Sequence, residues 1–216
     1  MPSRRACASA RAEHRGGGAG RAPGERRAVS RRTVRGVYRV PVTSQHQPAD
    51  HGTPAIRRAR TADVRGIRAL VAPLAERRVL VSKDAVAYFE SLQEFRVAEL
   101  DGRIVGCGAL HVMWEDLAEV RTLAVAADQV GTGLGGRLLE ELVQDARDIG
   151  VQRLFCLTFE TGFFTRHGFE AIEGQAVPTD VYAELLRSYD EGVAEFLDLE
   201  RVKPNTLGNT RMLRTL

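Results

Sequence analysis

Apolar residues recur along this chain with two periods, and each change of period marks a new element. Val64, Ile67, Leu70, Val71 and Leu74 return every three or four positions and predict a helix. Thr61 reads as its N-cap and Asp63 as its first-turn acid, and Pro73 predicts a kink or an end. Ser82 reads as the cap of a second helix whose buried side carries Ala85, Val86, Phe89 and Leu92. Residues 54–59, 95–100, 103–112 and 117–125 read as strands, joined in part by turns at Asp101-Gly102 and Glu115-Asp116. Residues 134–149 predict a longer helix with Leu138, Leu142 and Ala146 on one stripe, Leu139 and Val143 beside it, and Gly150 ending it. A strand over 153–159, a short helix over 163–167 and a strand over 169–173 follow. A helix capped by Thr179, a helical stretch over 194–199 and a strand over 212–216 complete the order. The arrangement is an α/β domain with a mixed sheet, because three strands follow one another through turns instead of alternating with helices.

Composition divides the chain in two. Residues 1–52 hold eleven Arg against Glu13, Glu25 and Asp50, a net +8, whereas residues 53–216 carry a net −5. The overall +3 therefore describes the first segment, and a basic-protein argument for nucleic acid does not apply to the rest. Residues 1–52 are rich in Arg, Ala and Gly, contain Gly16-Gly17-Gly18 and Pro23-Gly24, and have almost no large apolar residue before Val34. Such a segment cannot bury enough surface to offset its ordering entropy, so it is expected to be a disordered extension. The domain is placed at 53–216. Cys7, Cys107 and Cys156 give no disulfide framework and fit a reducing compartment, with Cys107 and Cys156 as core residues. No apolar run reaches the ~18 residues that a membrane helix needs, and no apolar h-region follows the N-terminus. A cytoplasmic protein without a membrane partner is expected.

Val130, Gly131, Thr132, Gly133, Leu134, Gly135, Gly136 and Arg137 lie between the strand over 117–125 and the long helix. Glycines let backbone N–H groups converge, and the helix start adds further N–H donors and a positive dipole end. The stretch predicts a phosphate or pyrophosphate site. A P-loop is excluded, because Arg137 and Leu138 stand where its lysine and hydroxyl would be. A dinucleotide fingerprint fits G-x-G-x-x-G literally, with Glu160 as a ribose acid. Five-residue spacing from Val125 to Gly131 and the preceding antiparallel strands disfavour it.

The third reading is a resemblance. Val130-Gly131-Thr132-Gly133-Leu134-Gly135 resembles the (Arg/Gln)-x-x-Gly-x-(Gly/Ala) acyl-CoA loop of the GNAT N-acetyltransferase superfamily, with Val130 departing at the first position. Residues 154–169, Leu80-Val81-Ser82-Lys83, Gly106-Cys107-Gly108-Ala109-Leu110 and Glu119-Val120-Arg121-Thr122-Leu123-Ala124-Val125 resemble N-acetylglutamate synthases. Residues 202–213 look like the stand-alone form of that enzyme, which lacks an amino-acid kinase domain. The resemblance implies a GNAT fold, with a mixed, mostly antiparallel sheet flanked by helices. It implies that the strand before the loop splays from its neighbour at a bulge. It implies acetyl-CoA as co-substrate and no metal. Backbone of Leu123, Ala124 and Val125 would hold pantetheine and thioester, and the loop N–H groups the pyrophosphate. The implied reaction is acetyl transfer to L-glutamate, the first step of arginine biosynthesis, with glutamine as another acceptor and a homodimer as a compatible assembly.

Acetyl transfer to an amine needs a neutral amine, a polarised thioester and a proton route. Glu119 matches the position of a general base in some GNAT enzymes, and a partly buried carboxylate has the raised pKa this requires. Phe163-Phe164 stand where many relatives have a tyrosine acid, so that part of the proton route stays open. Carboxylates on the acceptor call for fixed cations. Lys83 and His111 occupy places where related synthases carry basic residues. Arg121 leaves its strand on the same side as Glu119 by alternation. Lys203, Asn209 and Arg211 come from the C-terminal segment, and Arg78 is a weaker candidate. The rival readings are a GNAT acting on a polyamine, drug or protein N-terminus, and a non-catalytic acetyl-CoA or amino-acid sensor. A truncate beginning at Thr53 is expected to keep full acetyl-transfer activity, measured as thiol release; loss of activity would make the first segment part of the enzyme.

Overall fold

The computed structural model describes residues 39–40, 52–77, 79–80, 83–202 and 208–216, all within the contact unit formed by residues 34–216. The expectation of disorder for residues 1–52 falls almost wholly outside these residues. So do Arg78, Ser82 and Lys203.

The strands are β1 (Arg39–Val40), β2 (Ala55–Arg58), β3 (Phe95–Leu100), β4 (Arg103–Trp114), β5 (Leu117–Ala126), β6 (Arg153–Thr158), β7 (Glu170–Ala171) and β8 (Thr210–Thr215). The helices are α1 (Val64–Glu76), α2 (Ala85–Glu90), α3 (Leu134–Asp148), α4 (Thr161–Arg166), α5 (Thr179–Leu185) and α6 (Glu191–Phe196). The sheet order is β2-β3-β4-β5-β6-β8-β7, with β1 paired to β5. The β5–β6 and β1–β5 pairs are parallel and the other pairs antiparallel. This is the mixed, mostly antiparallel sheet that the sequence predicts.

Two apolar clusters flank the sheet. The predicted stripes of α1 and α3 are buried in one of them, together with Ala118, Val120, Leu154 and Cys156. Leu117 and Phe155 point the other way and join Val177, Leu185, Val193 and Phe196 in the second cluster. Period-two alternation therefore puts Glu119, between Ala118 and Val120, on the side of α5 and α6. Cys107 and Cys156 are free and buried, as core residues should be.

Several local expectations change. Thr61 does not cap α1; residues Thr61–Asp63 form a short 3-10 turn, and the Asp63 carboxylate accepts from the backbone N–H of Arg60 (2.7 Å) and from Arg57. Helix α1 continues through Pro73 to Glu76. In α2 the buried residue is Tyr88, while Val86 and Phe89 are exposed, so the helix presents the opposite face. The helical stretch expected at 194–199 begins earlier, capped by Asp190, whose side chain accepts from the Val193 N–H.

Asp145 fastens α3 to the sheet. Its carboxylate accepts from Arg96 Nε and Nη2 (both 2.7 Å) and from Arg58 Nη2 (2.9 Å). The Arg96 hydrogen bonds hold its carboxyl below the usual range, against a smaller opposing effect of burial. Arg96 keeps Glu141 at 3.1 Å and Arg58 is largely exposed, so Asp145→Ala loses charge-assisted hydrogen bonds without stranding a buried charge and is expected to cost about 1.5–3 kcal/mol at neutral pH. Because the folded-state pKa is depressed, this contribution is present above the unfolded value, about 3.9, and fades as pH falls through the folded one. Urea unfolding of both proteins from pH 7 to pH 2 checks this; a gap that stays constant would refute it.

Candidate active site

Strand β5 organises the site. It pairs with β6 only from Leu117↔Arg153 to Glu119↔Phe155, and beyond Glu119 the two strands part. On its other side the register to β4 slips: Ala109 faces Arg121, but Cys107 faces Ala124. The extra residue forms a bulge at Thr122, whose φ of +58° is costly for a β-branched side chain. The Cys107 Sγ–H donates to the Thr122 carbonyl at 3.5 Å. The splay and the bulge are the geometry that the resemblance implies. At the far end β1 lies against β5, Arg39 opposite Val125 and Val40 opposite Ala126.

Beyond β5 the chain enters the glycine loop. Gly131 and Gly133 have φ of +89° and +84°, and a Cβ at either would meet nothing within 4 Å. Their backbone thus faces open space in a conformation that suits glycine. Gly133 caps α3, the Leu134 N–H reaches Thr132 Oγ1 at 3.4 Å, and the Arg137 N–H closes onto the Gly133 carbonyl. A helix's first turn leaves its N–H groups without intrahelical acceptors, here those of Gly135 and Gly136. These groups line a cavity of about 840 Å³ with Val125, Val130, Leu134 and Arg137. Phe163, which the sequence marked as standing in place of a tyrosine, lines it too, as do Ile56, Arg166 and His167, which the sequence did not single out. Arg137 Nη2 also donates to the Pro54 carbonyl at 2.9 Å. The cavity suits an extended, anionic co-substrate. Among the described residues no group of three or more His, Cys, Asp or Glu has the arrangement of a metal site.

Where β5 leaves β6, charged side chains gather under α6. Glu119 is 5% exposed, and its Oε2 accepts from Arg121 Nε at 2.9 Å. Arg121 also grips Asp190, Nη2 to Oδ1 at 2.9 Å and Nη1 to Oδ2 at 3.1 Å. His111 Nδ1 lies 2.7 Å from Glu94 Oε1, and its Nε2 lies 3.8 Å from Asp190 Oδ2. Burial raises the Glu119 pKa above the ordinary value, opposed by Arg121 and reinforced by Asp190. Burial works against the Arg121 charge, but Glu119 and Asp190 outweigh it and hold the guanidinium protonated. Burial likewise favours the neutral form of Asp190, and Arg121 reverses the balance to keep it ionised. Lys83 is pushed down, first by burial and then by Arg121, while Glu119, Asp190 and Glu94 pull it back.

Lys83, His111, Glu119 and Arg121 thus share one cluster. Arg211 and Asn209 do not join it through any contact described. Arg211 lines a separate cavity with Asn209, Ile172, Glu173, Gly174 and Asp198, donating from Nη2 to the Gly174 carbonyl at 2.8 Å. Asp190, Glu94, Gly192 and Glu195 were not singled out from the sequence. The cap at Asp190, three residues before the N–H of Val193 that it accepts, is a signal that sequence reading could have used.

Residues 69–169 match the Acetyltransferase (GNAT) family. An amino-acid acetyltransferase of Mycobacterium tuberculosis is 55% identical over 166 residues, 76% of this chain and 95% of that protein. The chain belongs to the GNAT acetyltransferase family. An amino-acid acetyltransferase of Neisseria meningitidis is 36% identical over 57% of this chain, which spans 29% of that longer protein. A Mycobacterium tuberculosis crystal structure in complex with CoA has a TM-score of 0.72 at 55% identity, covering 76% of this chain and 99% of that one. N-acetylglutamate synthase from Neisseria gonorrhoeae, complexed with coenzyme A and N-acetyl-glutamate, has a TM-score of 0.63 at 28% identity over 78% of this chain and 36% of that one. The chain is an acetyltransferase of the GNAT fold.

In this GNAT domain α6 rests directly on the charged cluster. A Cβ built on Gly192 would collide with Glu119 Oε2 and stand 2.8 Å from Arg121 Nη2. Alanine normally favours a helix by up to about 1 kcal/mol over glycine. Overpacking costs about 1–3 kcal/mol, and here it would win. Gly192→Ala is therefore expected to lower Tm by several degrees. An unchanged or raised Tm in a thermal scan would show that α6 does not bear on Glu119.

Proposed function

We propose that the protein is an acetyl-CoA:L-glutamate N-acetyltransferase working in the cytoplasm at the first step of arginine biosynthesis. The observation that carries this reading is the buried Glu119 held beside Arg121, Lys83 and His111 where β5 leaves β6, on the same strand whose later residue Val125 lines the glycine-rich cavity. The names of the Mycobacterium and Neisseria relatives support an amino-acid acceptor.

Acetyl-CoA supplies the activated acetyl thioester. Gly131, Gly133, Gly135 and Gly136 would hold its pyrophosphate through backbone N–H groups, with Val130, Leu134 and Arg137 lining that end of the cavity and Thr132 bracing the loop through its hydroxyl. Backbone of Leu123, Ala124 and Val125, on the β5 edge past the splay, would hold the pantetheine and the thioester oxygen. Glu119 would accept the proton of the acceptor ammonium, directly or through a water. Burial raises its pKa toward the range in which a carboxylate makes a useful base. Lys83 would bind an acceptor carboxylate, which would compensate the desolvation that now weakens its charge. Arg121 is already satisfied by Glu119 and Asp190. It would orient Glu119 and meet an acceptor carboxylate only by exchanging Asp190 for it. His111, Lys203, Asn209 and Arg211 would complete the acceptor side.

Glutamine is a second acceptor favoured by a specific observation. Glu94, Glu119, Asp190 and Glu195 bring four carboxyl groups to a cluster whose described cations are Lys83, Arg121 and, when protonated, His111. That balance suits an acceptor with one carboxylate as well as one with two.

Thiol release from acetyl-CoA with a panel of amino acids, polyamines and peptide amines tests the reading. Glutamate or glutamine should be the best acceptor. A preference for polyamines or peptide N-termini would reject it, and acetyl-CoA binding without turnover would identify a sensor. Glu119→Gln should lower kcat by about 10²–10⁴-fold, and Lys83→Met should raise the amino-acid KM with little change for acetyl-CoA. In the wild type kcat/KM should fall as pH drops through the raised Glu119 pKa, because only the carboxylate accepts a proton. An acid limb no higher in pH than that of an ordinary exposed carboxylate would count against Glu119 as base.

A further inference from the structure

Glu195 enters the reading above only as one of four charges, with no step of the reaction assigned to it, yet it lies where Glu119 needs a neighbour. It follows Gly192 by three positions on α6, so the two share a helix face. Gly192 is the residue whose backbone sits against the Glu119 carboxylate. Packing of Phe196 edge-on against Phe155, ring centroids 5.1 Å apart, fixes the helix over β6. The Asp190 cap, held by Arg121, fixes its other end. Glu195 is itself 8% exposed. Its carboxyl is pushed up to about 7, first by burial and then by the negative charges of Glu119 and Glu191, with Asp190 adding to them and Arg121 opposing. Glu191 is turned outward and pairs with Arg201 at 3.2 Å, so among these acids Glu195 is the one facing inward on α6 beyond the cap.

At neutral pH the acceptor enters as an ammonium. The overall change, R–NH3⁺ plus acetyl-CoA giving the amide plus CoA thiol, releases one proton to solvent for each turnover. If Glu119 is the base, that proton starts on a carboxyl group that is itself almost fully buried. We propose that Glu195 is a positioning residue that takes the proton from Glu119 and hands it to bulk water. Directly or through a bridging water, one O–H bond breaks on Glu119 as one forms on Glu195, and the Glu195 O–H then gives its proton to water or buffer, returning both carboxylates to their starting state. Burial raises the proton affinity of both acids, the Glu119 charge adds to it at Glu195, and an acid near neutrality releases its proton to water without becoming a trap. The proposal rests on the reading of Glu119 as base.

Glu195→Gln removes the relay and keeps the shape. In weakly buffered solution at pH 8 its kcat is expected to fall about tenfold, with the KM values of acetyl-CoA and the acceptor unchanged. Added imidazole, a small diffusible proton carrier, should restore kcat in proportion to its concentration. The solvent deuterium isotope effect on kcat should rise in the variant. A kcat within twofold of wild type, or a loss that imidazole leaves in place, overturns the proposal. Should Glu195→Gln lower Tm, Glu195→Asp keeps the test open: a relay requires Asp to be more active than Gln, and equal activities overturn it. Glu119→Gln run alongside separates the two ideas, because full activity there dismisses the base itself whatever Glu195 does.

Discussion

One buried carboxylate sets the terms for this site. Glu119 stands at the last paired position between β5 and β6, in contact with a helix backbone at Gly192 and nearly closed to water. An isolated charge there would be prohibitively desolvated, and the fold meets this with Arg121. Arg121 in turn needs more than one anion, and Asp190 supplies the second while capping α6. Each of these groups is tolerable only because the next one is present. The helix over the site is thus held as much by electrostatics as by its apolar contacts with Phe155 and Leu117.

The arrangement solves two problems that pull against each other. On the proposed reading of Glu119 as base, the carboxylate must take a proton from an ammonium, which burial favours, yet be ionised before it acts, which a cation favours. Burial dominates for Glu119, and Arg121 moderates it. The strained Thr122 backbone belongs to the same solution. The bulge lets β5 keep its hydrogen bonds to β4 while leaving β6, and so opens a gap without unzipping the sheet.

Much of this was legible in the sequence where the signal is local. The α1 and α3 stripes, the turns at Asp101-Gly102 and Glu115-Asp116 and the glycine loop follow from spacing alone, and the structure has them. The order of elements led to an α/β domain with a mixed sheet, and the resemblance of the loop and strand motifs led from there to the GNAT fold. The misreadings have physical reasons. Helix α2 carries apolar residues on both sides, and only tertiary packing decides that Tyr88 goes inward and Phe89 outward. Thr61 had cap chemistry, but Asp63 had a stronger partner in Arg57. Asp190 was open to recognition as a helix cap but not as the partner of Arg121, because that meeting spans 69 positions and no local pattern reports a contact of that range. Arg211, by contrast, alternates correctly onto β8 but is taken up by Asp198 and Gly174.

The two apolar clusters on opposite faces of the sheet separate what the chain must keep from what it is free to vary. The larger cluster unites β3, β4, β5, α1 and α3, and carries the glycine loop at its margin. The smaller one gathers the segment from Val177 to Leu197 over the other face, and that segment supplies Asp190, Gly192 and Glu195. A lineage could therefore rewrite the helical roof over the charged cluster by exchanging about twenty contiguous residues, while the scaffold that carries the glycine loop is inherited intact.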